Sequence, residues 1–265
     1  MQGDCEYVLA QDCTDAARFR VEVRNRGNTR VTQTAAVAIR ARGAGRVELY
    51  RQGFIPAVAL VNGQPIYTLP YVDAAAGLSI VSSAGGVLVT LDTVGVSVWW
   101  SRTSMVRVTA KSEAYYKQLC GLCGDFNQDG QDETDTAALM GAHTVDPATA
   151  LLSVSDGYKC GQTDPDAPSP CDNNADLKDQ AAAHCDRLLE LYAQCGKVVN
   201  LDLYWSSCLF DFCETGAPGA CDSFIQAEEA CRNAGVVVPT VLDECNVCFG
   251  DGMTCDSTCS AFGGQ

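Results

Sequence analysis

With 265 residues, 16 cysteines and a formal net charge of −15, the chain is long enough for one large or two medium domains. So many thiols would be a liability in a reducing compartment and act as staples in an oxidising one, so an extracellular or lumenal protein is expected. No apolar run approaches the roughly 20 residues that span a bilayer, and nothing offers nucleic acid a basic, aromatic-interleaved surface.

The charge is unevenly spread. Residues 1–120 hold 13 Lys+Arg against 9 Asp+Glu, and residues 121–265 hold 5 against 24. That asymmetry predicts two physically different modules, the acidic one with a solubilising surface. The start, Met1-Gln-Gly-Asp-Cys5, has neither the basic nor the apolar region of a signal peptide, so a piece of a longer chain is expected. There is no Asn-x-Ser/Thr sequon.

From Tyr7 to Val108, β-branched runs recur at short, even intervals: 7–10, 19–23, 31–39, 47–50, 57–61, 66–69, 78–81, 87–91, 96–100 and 106–108. Phe19, Val21 and Val23 alternate with Arg18, Arg20, Glu22 and Arg24, and Val31, Ala35, Val37 and Ile39 continue the pattern. A period of two is that of half-buried antiparallel strands. Asn62-Gly63 is a type I′ hairpin signal, and Gly85-Gly86 and Asp92 to Gly95 read as further turns. The expectation is an antiparallel β-sandwich or barrel.

Residues 136–170 read as a less regular bridge, closed by Pro165, Pro168 and Pro170, which cannot continue a helix or a central strand. The period then becomes helical. Leu177, Ala181, Cys185, Leu188, Leu189, Tyr192 and Cys195 form one stripe on a helix of about 20 residues, with Asn173 or Asn174 as cap and Gly196 as stop. A second helix fits Leu203 to Cys213, and a third Cys221 to Cys231, stopped by Gly235. The expected organisation is a β domain over 1–163, a linker over 164–171, a small disulfide-rich helical module over 172–240 and a Cys-rich tail over 241–265.

Between the β-rich part and the rest lies Cys120-Gly-Leu-Cys123-Gly-Asp125-Phe-Asn127-Gln-Asp129-Gly130-Gln-Asp132-Glu133. Asp125, Asn127, Asp129, Gly130, Gln131 and Glu133 follow the alternate-oxygen spacing of a Ca²⁺ loop. Thr136 stands where an EF-hand has its bidentate glutamate, and no flanking helix pair is apparent, so a true EF-hand is rejected. Cys120 and Cys123 also have the spacing of disulfide oxidoreductases, though structural half-cystines are the plainer reading. The only histidines, His143 and His184, read as isolated surface residues. Zinc at Cys245, Cys248, Cys255 and Cys259 is the minor alternative to disulfides there.

Cys5-Glu-Tyr-Val-Leu-Ala-Gln-Asp-Cys13, Phe19-Arg-Val21, Val61-Asn-Gly63, Leu69-Pro70, Gly95 to Trp100 and above all Leu119-Cys-Gly-Leu-Cys-Gly124 resemble a von Willebrand factor type D domain. Residues 172–235, with Tyr204-Trp205, Cys208 and Asp211-Phe-Cys213, resemble the C8 module that follows such domains. The resemblance implies the pairs Cys5–Cys160 and Cys13–Cys120. It implies calcium at Asp125, Asn127, Asp132 and Glu133, whereas the loop spacing favours Asp129. The family's strand ahead of Cys5, with a further calcium ligand and the partner of Cys123, is not in this chain. Cys123 therefore has no assigned partner. Cys171, Cys185, Cys195, Cys208, Cys213, Cys221, Cys231, Cys245, Cys248, Cys255 and Cys259 are expected to pair in an order the sequence leaves open.

The functional expectation is a secreted, calcium-stabilised, disulfide-linked module of a mucus-like, adhesive or matrix protein. Its partners would be other extracellular proteins or itself, with a covalent multimer through Cys123. No catalytic residues are assigned. A luciferase-like enzyme is one alternative, because certain secreted luciferases resemble type D domains, and a module of a yolk or lipid-transport protein is another, against which the C8-like helices argue.

Overall fold

The computed structural model describes residues 4–27, 32–52, 55–83, 86–101, 104–127, 136–154, 160–161, 167–243 and 247–250. They form two compact units, Met1–Pro165 and Asp166–Ala261.

The first unit is an antiparallel sandwich. One sheet holds β1 (Glu6–Asp12), β2 (Phe19–Gly27), β3 (Thr32–Ala41), β4 (Gly45–Gln52), β5 (Ile55–Val61) and β6 (Gln64–Ile66). The other holds β7 (Tyr71–Asp73), β8 (Leu78–Ser83), β9 (Gly86–Leu91), β10 (Val96–Ser101) and β11 (Val106–Ala110). Each is a meander, except that β12 (Leu119–Cys120) returns to the first sheet beside β1. The alternation read from sequence puts Val21, Val23, Val37, Ile39, Val47 and Leu49 into one core with Ile80, Val89, Leu91, Val98 and Trp100 of the second sheet. Asn62 (φ 51°) and Gly63 (φ 80°) both adopt the left-handed region that a type I′ turn needs. The run expected over 66–69 is instead β6, with Pro65 inside it. A residue without an N–H is tolerated there because β6 is the sheet edge. The strands β7 and β12 are too short for periodicity to reveal. The turn expected at Gly85 lies outside the described residues.

The other face of the first sheet is not simply solvated. Glu22 and Glu48 are fully buried and Arg24 nearly so, because the segment 151–154 crosses over them. The Glu22 Oε2 accepts the Leu151 amide at 2.7 Å, and its Oε1 accepts Arg20 Nε at 2.7 Å. Glu48 Oε2 accepts the Ser153 amide and hydroxyl, each at 2.7 Å, and the Tyr50 hydroxyl. Arg46 Nε lies 3.0 Å from its Oε1. Leu151 and Leu152 pack on Ala36 and Ala38, whose small side chains leave room for the strap. Two charges can be buried here because each is met by an arginine and by backbone or hydroxyl donors. Burial pushes the Glu22 carboxyl up, against the opposing pull of the Leu151 amide and Arg20. The supposed bridge over 136–170 also contains a helix, α1 (Thr136–His143). After it, Val145 donates its amide to the Glu6 carbonyl at 2.8 Å.

In the second unit, α2 (Ala175–Leu191), α3 (Asp202–Thr215) and α4 (Ala217–Asn233) surround Leu188, Tyr192, Phe224 and Ala227. Asn174 caps α2, its Oδ1 accepting the Leu177 amide at 3.0 Å. The helix is shorter than its stripe predicts and Gly196 does not stop it. It ends at Leu191, and Tyr192 leaves helical geometry at φ −109°, ψ 20°. A short 3₁₀ turn, Cys195–Lys197, comes next and keeps Cys195 buried against its disulfide partner on α4. No helix of the described residues is long and apolar enough to cross a membrane.

Replacing Glu48 with alanine strands the Ser153 amide and Arg46. We expect a loss of roughly 3 kcal/mol in urea unfolding, with amide exchange rising first at residues 151–154. A loss below about 1 kcal/mol would mean that the carboxylate does not hold the strap.

Candidate functional site

The Cys-Gly-Leu-Cys-Gly loop lies along the first strand. Gln11 and Asp12 pair with Cys120 and Leu119. Past the strand, Leu122 donates to the Val8 carbonyl at 3.0 Å and Cys123 to the Leu9 carbonyl at 2.9 Å. A register shift between Val8 and Ala10 leaves Leu9 out of the β1–β2 ladder, so its carbonyl turns to the loop instead. Gly121 sits at φ 130°, where an added Cβ would stand 2.6 Å from that carbonyl oxygen. Only glycine allows this approach. The disulfide Cys13–Cys120 fastens the same edge.

A buried acid secures the other side of this disulfide. The Asp12 carboxylate accepts Thr14 N at 3.1 Å, Thr14 Oγ1 at 2.7 Å, Arg18 N at 3.0 Å and Arg18 Nε at 2.6 Å. Burial alone would raise its pKa, but the bonds from Arg18 and Thr14 outweigh it and hold the carboxyl well below the usual range. Arg18 also donates to the Ala114 carbonyl at 3.1 Å and Gln118 Oε1 at 2.9 Å, and lies 4.2 Å over the Tyr115 ring. The start of β2 is thus tied to the segment that delivers Cys120. Sequence reasoning missed this pair; the available signal was an acid directly before Cys13 with an arginine six residues on.

Of the proposed calcium ligands, Asp125 and Asn127 are half-buried at the end of the clamped loop. The Asn127 amide donates to Asp125 Oδ1 at 2.9 Å. Phe126 between them has φ 65°, and the chain bends there so that the Asn127 amide meets the Asp125 carboxylate. Asp129, Asp132 and Glu133, with Gly130 and Gln131, lie outside the described residues.

Six disulfides join the described cysteines. Besides Cys13–Cys120, the first unit has Cys5–Cys160. The second has Cys171–Cys213, Cys185–Cys208, Cys195–Cys231 and Cys221–Cys248. Cys123 is exposed and belongs to none of these six. Cys245, Cys255 and Cys259 lie outside the described residues. Such bonds form and persist in oxidising compartments.

His184 is not the isolated surface residue its sequence context suggests. It lies half-buried beside Phe212, Phe224 and Phe249, with ring centroids 5.1, 5.5 and 5.8 Å away. Its Nε2 is buried and has no hydrogen-bond partner among the described residues. Burial, and then the nearby Arg187, push its pKa down. The missed signal is spacing: three phenylalanines from distant parts of the module converge only in the fold.

Residues 1–139 match the von Willebrand factor type D domain. The chain belongs to this family. Residues 184–246 match the C8 domain. Human Mucin-5B is 28% identical over 252 residues, 89% of this chain and 4% of the mucin. Rat SCO-spondin is 30% identical over 247 residues, covering 92% of this chain and 4% of its own length. Silkworm hemocytin is 27% identical over 272 residues, 98% of this chain and 8% of its own. The chain thus spans only a small part of these curated relatives. In type D terms, the sandwich and the clamped loop are the type D unit, and the three helices are the C8 module.

Two outcomes test the site's physics. Replacing Asp12 with alanine leaves Arg18 without its acid and should cost roughly 3 kcal/mol of type D stability, seen as a lower urea midpoint at neutral pH. An unchanged midpoint would show the network to be incidental. For His184, the folded pKa lies below the unfolded one, so the unfolded chain takes up the proton first. Stability contributed by the neutral ring is therefore present above about pH 6.5 and lost as pH falls below it. Protection of α2 amides should drop between neutral and mildly acidic pH, and His184→Phe should flatten that drop. An equal drop in the variant would assign the effect elsewhere.

Proposed function

We propose that this chain is a calcium-stabilised, disulfide-linked assembly module of an extracellular matrix, mucus-like or adhesive protein. The observation that supports it best is the Cys120–Asn127 loop. Its start is pinned by a disulfide, two backbone bonds and a glycine contact, and at its end the Asn127 amide meets the Asp125 carboxylate. Carboxylate and amide oxygens are the hard donors Ca²⁺ takes, so these residues fit the ion. Asp129, Asp132 and Glu133 would complete the set. The ion would be structural, cancelling the repulsion among these acids.

Assembly is the second half of the reading. Cys123 is exposed, so disulfide exchange at its sulfur is sterically open whatever its present partner. The likeness to a mucin favours self-association or pairing with other extracellular proteins over catalysis.

Chelation tests the metal. EDTA should lower the melting temperature of the full chain, and excess Ca²⁺ should restore it. A hundredfold excess over Kd contributes about 2.7 kcal/mol. Asp125→Ala should abolish the response; no change on adding EDTA to the parent chain removes calcium from the proposal. Independently, electrophoresis without reductant should show covalent oligomers that Cys123→Ser diminishes.

A further inference from the structure

The outward face of the first sheet carries a row of four arginines, of which the fold engages two at Nε and leaves two without a partner among the described residues. Arg20 pairs across β2–β3 with Arg40, and Arg40 across β3–β4 with Arg46. Three adjacent strands set these three Cα atoms across roughly 10 Å. Arg42 sits just beyond them in the β3–β4 turn. All four line one open groove of about 1190 Å³ between the sheet and residues 148–151. No acidic, lysine or aromatic residue lines it.

The four are held differently. Arg20 and Arg46 each turn Nε to a buried carboxylate, Glu22 at 2.7 Å and Glu48 at 3.0 Å. Glu22 holds Arg20 by a hydrogen bond, whereas Glu48 holds Arg46 by charge alone, its Oε1 accepting no hydrogen bond among the described residues; the Nη groups of both arginines make no hydrogen bond within the described residues. Arg40 and Arg42 are exposed, and among the described residues their guanidinium groups have no ion-pair or hydrogen-bond partner. Four like charges on one face repel one another, and two of them are left uncompensated. In a chain of net charge −15, such a concentration is a local feature that does not follow from composition.

We infer that this arginine row is a binding groove for a sulfated polysaccharide. Each sulfate presents oxygen pairs that a guanidinium fork meets with two parallel N–H bonds, a geometry lysine does not offer. The ladder repeats the forks at strand spacing, which suits a chain carrying anions at intervals rather than a single ion. The walls are small residues, Ala17, Ala41, Ala148 and Thr149 among them, so an extended chain lies flat. Without an aromatic platform, unpaired bases have nothing to stack on, which disfavours nucleic acid. The strap that Glu22 and Glu48 hold down forms the opposite wall, so these acids shape the groove as well as neutralising two of its arginines.

The test uses the full chain and heparin as the sulfated probe, by titration calorimetry at several salt concentrations. Hyaluronan, which has carboxylates but no sulfate, and a single-stranded oligonucleotide serve as comparison anions. Binding to heparin is expected at about 0.15 M salt, with hyaluronan and the oligonucleotide at least tenfold weaker. Arg40→Ala with Arg42→Ala should weaken heparin binding about tenfold and make it less steeply salt-dependent, because fewer counterions are released on binding. Both side chains are exposed, so the thermal melt should not move. Arg40→Lys with Arg42→Lys keeps the charge and loses the fork, and should fall between the parent and the alanine pair. Lys178→Ala with Lys197→Ala, an equal charge change in the C8 module, should have no effect. Failure to bind heparin overturns the inference. So does equal binding of hyaluronan or the oligonucleotide, or an equal loss in the paired lysine variant.

Discussion

The return of the chain at β12 to the first strand is the constraint on which the type D unit depends. The sheet of β1 to β6 forms by neighbouring hairpins, each a local closure. The second sheet forms in the same way. Nothing local brings Leu119 and Cys120 back to Gln11 and Asp12, and the loop to be closed is 107 residues long. Closing it costs chain entropy that no single strand pair of two residues recovers. Three devices act at the same place. The disulfide Cys13–Cys120 removes closure entropy from the unfolded chain, by roughly 4–5 kcal/mol in the chain-entropy treatment. The Asp12–Arg18 pair reaches the incoming segment at Ala114 and Gln118. Gly121 lets the loop settle on Leu9 at a distance that a side chain would forbid.

A second layer depends on the first. Cys5 is bonded to Cys160, and the segment 151–154 lies over the sheet's outer face. A bare β-face of alternating charges would give that segment nothing to dock on. Glu22 and Glu48 instead offer acceptors to the Leu151 and Ser153 amides, while Ala36 and Ala38 make room for two leucines. Burying two carboxylates is unfavourable by itself, and it is offset only because Arg20, Arg46 and the strap's own donors meet them. The arginines are therefore a consequence of the buried acids at two positions and independent of them at Arg40 and Arg42.

Much of the sandwich was legible because hydrophobic period and turn chemistry agree. Val21, Val23, Val37 and Ile39 alternate with polar residues, and Asn62-Gly63 marks its hairpin without tertiary help. Features that depend on non-local contact stayed hidden. Alternation showed that Glu22 faces away from the core but not that a strap 129 residues later buries it. The apolar stripe runs past the end of α2 because it continues through Tyr192 and Cys195, which are fully buried. Periodicity reports burial, and burial here is kept by a 3₁₀ turn and a disulfide after the helix has stopped. His184 looked isolated for the same reason. At the candidate site, the residue types were legible, whereas the clamp that orders them rests also on Leu9 and Tyr115, which carry no chemistry that a motif would flag, and on Arg18, marked only by its spacing from Asp12.

The placing of sulfur beside oxygen donors then has a physical rationale. A flexible acidic loop binds a cation weakly, because ordering each donor costs conformational entropy and the acids repel one another until the ion arrives. Here the loop is already fixed from Cys120 to Cys123 by bonds to β1, and Asp125 lies two residues beyond the last of them. Asp125 and Asn127, if they act as donors, would therefore start from a restricted range of positions. The coupling runs both ways. A cation that holds Asp125 and Asn127 would also resist withdrawal of the Cys120 loop from β1, and so would stabilise the closure on which the rest of the sandwich depends.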